Sequence, residues 1–367
     1  MSEFTIPSRG IVSYSQHDWQ LTDLLTRAPF PDEFLVEMIA TGICHTDIAG
    51  FGGIYPRVYG HEGEPHQARS SSPSKFSVGD LVILSAAACH GHPAYCVQHS
   101  ALTSQANTPT FVLASNKSKV IGGGFFGQLS FASPAPVKVS CAVNVTKMVR
   151  DAAELRLYAP LGCSIMTGAG TVTHVGRGEA GDVVAVVGLG GVGLAAIAAA
   201  KHRGVGTIIA CDVVASRIEL AKGFGSTAGL DTSQEGLGGK SLSEALKGVT
   251  QDGLGCTHIL DTTPSVVVLE QCLEAVRNNG TVFQVGVKPV GAKLELDLLP
   301  HMVHGRKLVG VIEGDRDPIE ALPELLQWCK DGTLPVEKMV TEFKVEEFEK
   351  ARKVMEDGSV VKSVLVW

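Results

Sequence analysis

Apolar and polar positions change rhythm partway along the chain. In the second half, short apolar runs alternate with helical periods. Residues 182–187 (DVVAVV) predict a buried strand, 192–203 an alanine-rich helix, and 207–211 (TIIAC) a second strand. The series continues with 257–260 (THIL), a helical pattern over 266–276, and 281–287 (TVFQVGV). Strands alternating with helices predict a parallel sheet covered on both faces, an α/β fold. The first ~160 residues break instead into short β-rich pieces, turns and histidines, which predicts a mixed second domain. The last ~60 carry two helical patterns and end on a strand at 363–367.

Composition sharpens this picture. A chain of 367 residues with 44% hydrophobic and 19% charged residues is globular and long enough for two cores. Its net charge of −7, with no dense Lys/Arg tract, argues against a nucleic-acid partner. The most apolar run, 183–200, is broken by Gly188, Gly190, Gly191 and Gly193, so it does not read as a membrane span. The N-terminus has no basic stretch followed by an apolar one, the mark of a secretory signal. Nine scattered cysteines make a poor disulfide framework, and a reducing, cytoplasmic setting is expected.

Two constellations carry chemistry. Gly188-Leu189-Gly190-Gly191-Val192-Gly193 fits G-x-G-x-x-G directly after a strand and at the mouth of a helix. There the glycines let a pyrophosphate approach backbone N–H groups, and the helix N-terminus supplies partial positive charge. The next strand runs into Asp212, where a carboxylate would bind the adenine ribose and repel a 2′-phosphate. A doubly wound Rossmann sheet binding NAD rather than NADP is expected. The second constellation lies in Thr41-Gly42-Ile43-Cys44-His45-Thr46-Asp47, Gly60-His61-Glu62-Gly63 and Leu161-Gly162-Cys163. One cysteine, one histidine and a second cysteine make a three-ligand zinc set with an open fourth position, the catalytic pattern.

These motifs resemble those of the zinc-containing medium-chain alcohol dehydrogenases. GICHTD, GHEG, LGC-x-x-x-TGAG, VVGLGGVG and the ending VVKSVLVW match that family in order and spacing. FFGQLSFA (125–132) and Ile312-Glu313-Gly314-Asp315 are similar to its aryl-alcohol (benzyl alcohol) branch. The resemblance implies a β-rich, GroES-like catalytic domain of residues 1–160 and 308–367 around a Rossmann domain of 161–307. It implies one catalytic zinc per subunit on Cys44, His61 and Cys163, with Glu62 close behind and Asp47 orienting His61. Thr46 would hydrogen-bond the substrate oxygen. His45 and Lys362 would approach the cofactor pyrophosphate and Arg217 the adenosine ribose, with Val287 also at the cofactor. Ser85 and Phe131 would line the substrate pocket. The implied reaction is hydride transfer between NAD(H) and a primary, aromatic or allylic alcohol or its aldehyde, in a homodimer or homotetramer joined near 280–299. A polyol or sugar substrate, or a non-catalytic dinucleotide-binding protein, are the competing readings.

The chain also departs from the family. The lobe that holds a second, structural zinc in many relatives keeps only Cys89 and Cys96, with His92 between, too few ligands for a tetrahedral site. Residues 64–74 (EPHQARSSSPS) stand where relatives have an apolar strand, and their composition disfavours one. Ala49 replaces a proton-relaying histidine.

Overall fold

The computed structural model describes residues 4–49, 56–69, 76–85 and 108–367. The chain forms two compact units: residues 1–164, 316–328 and 336–367, and residues 165–315 with 329–335.

The second unit is built on six parallel strands: β1 (Val183–Val187), β2 (Thr207–Asp212), β3 (Ala228–Asp231), β4 (Cys256–Asp261), β5 (Val276–Gln284) and β6 (Lys307–Gly310). Their order is β3-β2-β1-β4-β5-β6. The chain reverses direction across the sheet between β1 and β4, and such a fold takes its ligand beyond the carboxyl ends of the strands at that point. Helix α1 (Gly191–His202) is buried along most of its length, since its small side chains let it lie close on the sheet. The domain break expected at 307/308 falls after Asp315, because β6 belongs to this sheet.

In the first unit the central strand is Glu33–Gly42. It pairs antiparallel with Ala135–Lys138, Gly63–Arg69 and Lys362–Val366, and the last pairs in parallel with Val340–Lys344. A second sheet starts from the hairpin Phe4–Ser15 and Asp18–Arg27 and continues through Thr108–Leu113 and Asn116–Gly123. Trp19, Phe34, Tyr59, Phe111, Phe131 and Phe348 belong to the shared apolar core.

The strand doubted in 64–74 is present as far as Arg69. Pro65 stands opposite Met38, at a step where the pairing register shifts before Glu64 meets Ala40. A proline lacking an N–H fits such an irregular step. Residues 70–75, and the lobe of Cys89, His92 and Cys96, lie outside the described residues. Among the described residues, no helix is long and apolar enough to cross a membrane.

Candidate functional site

Cys44, His61, Glu62 and Cys163 come together although three separate segments carry them. One ligand atom from each lies within 4.8 Å of all the others. Cys44 ends the turn after the central strand and precedes a single helical turn, His45–Ile48. His61 and Glu62 lead into Gly63–Arg69. Cys163 follows Gly162, where a Cβ would stand 1.9 Å from the Leu84 carbonyl oxygen, so only glycine lets this segment approach so closely.

Asp47 organises the group. It is fully buried. Its Oδ1 accepts hydrogen bonds from the Gly60 amide (3.0 Å) and from His61 Nδ1 (2.8 Å), and its Oδ2 accepts from the Cys44 amide (3.2 Å). A carboxylate can only accept, so His61 presents an N–H at Nδ1 and turns Nε2 toward the thiols. Gln128, also buried, donates from Nε2 to the His61 carbonyl at 2.9 Å. The rings of Phe125 and Phe126 pack against the imidazole, with centroids 5.6 and 4.9 Å away.

Charge in this group is strongly coupled. A hydrogen bond from the Cys163 thiol, then the charge of His61, hold the Cys44 thiol well below its usual range against the effect of burial. Burial works against a charged His61, but Asp47 and Cys44 outweigh it and raise its pKa well above normal. Burial pushes Glu62 up to about 7 against the pull of Lys362. Two cysteines, one of them readily ionised, and an imidazole fixed by a carboxylate suit zinc in a site with three protein ligands.

The glycine loop belongs to the second unit. Gly188 has φ +93°, and a Cβ on Gly193 would stand 2.0 Å from the Gly188 carbonyl oxygen. Asp212 at the end of β2 is 6% exposed. Its Oδ2 accepts from the Leu189 amide at 2.6 Å and its Oδ1 from the Val214 amide at 2.9 Å. The acid at the end of β2 therefore props up the loop. In the TGAG motif, a Cβ on Gly168 would lie 2.0 Å from the Val192 carbonyl oxygen, so that glycine seats its helix against the start of α1.

Residues 30–138 match the alcohol dehydrogenase GroES-like domain and 191–331 the zinc-binding dehydrogenase domain. Geraniol dehydrogenase of Castellaniella defragrans is 32% identical, covering 92% of each chain. The chain belongs to the zinc-dependent alcohol dehydrogenase family. Among solved structures, an alcohol dehydrogenase zinc-binding domain protein from Burkholderia ambifaria superposes with a TM-score of 0.87 at 31% identity, over 98% of each chain. Benzyl alcohol dehydrogenase from Acinetobacter calcoaceticus gives 0.85 at 30% identity, over 98% of this chain and 99% of the other.

The dehydrogenase places its other expected residues as follows. Thr46 is half-buried on the turn between Cys44 and Asp47, and His45 beside it is exposed. Ser85 is fully buried, and its α-carbon is 3.4 Å from where a Cβ on Gly162 would stand. Phe131 is fully buried edge-on to Trp19 and Phe348. Its surroundings are the apolar core, and the rings that meet His61 are instead those of Phe125 and Phe126. Arg217 lies half-buried on Ala215–Phe224, the helix after Asp212, and Val287 is exposed just past β5. Lys362 points its Nζ at Glu62 Oε2, 2.5 Å away, rather than outward. Sequence reasoning missed Gln128 and the Glu62–Lys362 pair; a buried polar residue within an aromatic stretch (FFGQLSF) was the available signal for the first.

Proposed function

We propose that this dehydrogenase transfers hydride between NAD(H) and a primary, aromatic or allylic, alcohol or the matching aldehyde. The observation that carries the reading is the convergence of Cys44, His61 and Cys163 around one point, with Asp47 fixing the histidine tautomer. These three would hold one zinc per subunit, and the metal would supply a Lewis acid that lets a bound alcohol lose its proton near neutral pH. Thr46, two residues from Cys44, would accept that proton's hydrogen bond from the substrate oxygen, and Ser85 would border the substrate. Asp212 favours NAD, since a buried carboxylate at the end of β2 repels a 2′-phosphate. His45, Arg217 and Val287 complete the cofactor contacts in this reading.

The aromatic or allylic substrate class is supported by the names of the geraniol and benzyl alcohol dehydrogenases to which the chain is similar. The intact zinc set speaks against a non-catalytic dinucleotide-binding protein. A homo-oligomer is supported by the outer strand β6 together with Leu298, Leu299, Met302 and Val303, all 65% or more exposed on the short helix Leu298–His304. Purified enzyme assayed by NADH absorbance against benzylic, allylic, aliphatic and sugar aldehydes tests the substrate class. Highest kcat/KM on the benzylic or allylic compounds is expected; a preference for sugars would overturn it.

A further inference from the structure

The glycine loop is gripped from a second side, opposite Asp212. The hydroxyl of Thr262, the first residue after β4, lies 3.0 Å from both the Val187 and the Gly188 carbonyl oxygens, which share its one proton. The Thr262 amide adds a hydrogen bond to the Val187 carbonyl at 3.0 Å. A Cβ on Gly188 would fall 2.3 Å from Thr262 Oγ1, so this hydroxyl occupies the space the glycine leaves open.

Thr262 is itself held by charge. Asp261 is fully buried and Lys288 9% exposed, and Lys288 Nζ lies 2.6 Å from Asp261 Oδ2. The same ammonium donates to the Thr263 carbonyl at 2.6 Å. Asp261 Oδ1 accepts from the Thr263 amide (2.9 Å) and hydroxyl (2.8 Å). The amides of Val285 and Gly286 donate to the Asp261 carbonyl at 3.0 and 2.9 Å. The ion pair thus joins the ends of β4 and β5 and fixes the turn that carries Thr262. Burying a charged pair is expensive and uncertain as a source of stability, so its use here is better sought in what it positions.

We propose that Thr262, braced by the Lys288–Asp261 ion pair, is a positioning residue that holds the Gly188 turn in the shape that receives the cofactor pyrophosphate. This rests on the reading of the loop as the NAD site. Without the hydroxyl, the Gly188 carbonyl loses its restraint and the loop amides lose their common aim. The cost falls on cofactor affinity more than on the chemical step.

Thr262→Val keeps the side-chain shape and deletes the hydroxyl, whereas Thr262→Ser keeps the hydroxyl. NADH titration by fluorescence, with KM for NAD and kcat at saturating NAD, reads the effect. Thr262→Val is expected to raise the NADH Kd about tenfold, the worth of one or two hydrogen bonds, with kcat reduced much less. Thr262→Ser should restore Kd to within about threefold of wild type, and Lys288→Met should weaken NADH in the same direction as Thr262→Val. Wild-type affinity in Thr262→Val, or equal losses in the Ser and Val variants, overturns the proposal. Failure of the unmodified enzyme to bind NADH or NADPH would instead overturn the cofactor reading itself.

Discussion

Lys362 Nζ lies 2.5 Å from Glu62 Oε2, with the two side chains 5% and 0% exposed. Neither charge has solvent to fall back on. Burial disfavours the charge on Lys362, but Glu62 and then Cys44 more than restore it.

Removing one partner should therefore cost far more than removing both. Lys362→Met leaves a buried carboxylate beside the metal residues and should destabilise the fold by ~3–5 kcal/mol. Adding Glu62→Gln should recover much of that loss. Urea unfolding of the two single variants and the double variant measures the coupling; additive losses would mean that the two charges do not support each other.

Asp212 predicts cofactor choice. Asp212→Gly combined with Val213→Arg should shift preference from NAD toward NADP by about 10–100-fold, as repulsion is removed and a cation added. Because Asp212 also accepts the Leu189 amide, NADH affinity should fall as well. Comparison of kcat/KM for the two cofactors checks both; a wild type that already prefers NADPH contradicts the assignment.

Glu64 predicts a pH dependence of stability. Its side chain is fully buried and neither carboxylate oxygen has a hydrogen-bond partner among the described residues. Burial, with Glu62 second, pushes its pKa well above the usual value of 4.5. The folded chain keeps this proton where the unfolded chain has released it. Its contribution is complete below the unfolded pKa and falls as pH rises toward the folded one, by at most ~1.4 kcal/mol per pH unit. Glu64→Gln has no such proton, so its urea midpoint should fall less steeply above pH 4.5 than that of the wild type. Parallel slopes would contradict the assignment.

Features set by neighbouring residues were legible in the sequence. The run from Val183 through the glycines to Asp212 shows itself because strand, turn, helix and acid follow one another within 30 residues. The zinc set was legible from its residue types beside a dinucleotide motif and then from resemblance, but not from periodicity, since Cys44 and Cys163 lie 119 positions apart. Strands β3 (AGLD) and β6 (KLVG) escaped notice because they are short, partly exposed strands with little apolar pattern. Pro65 hid a strand because composition cannot show that a register shift accommodates it. The family resemblance implies that Lys362 approaches the cofactor, whereas its ion pair with Glu62 shows only in the fold. Such pairings, like Lys288 with Asp261, are decided by tertiary approach.

The central claim is that Cys44, His61 and Cys163 hold the zinc on which alcohol oxidation depends. Its most direct test is NAD reduction by benzyl alcohol, followed through removal of metal by a chelator and its return as a zinc titration. Turnover should vanish with the metal and come back in proportion to added zinc, reaching full rate at about one ion per subunit, while the metal-free protein still binds NADH. Undiminished turnover in demonstrably zinc-free protein would contradict the account.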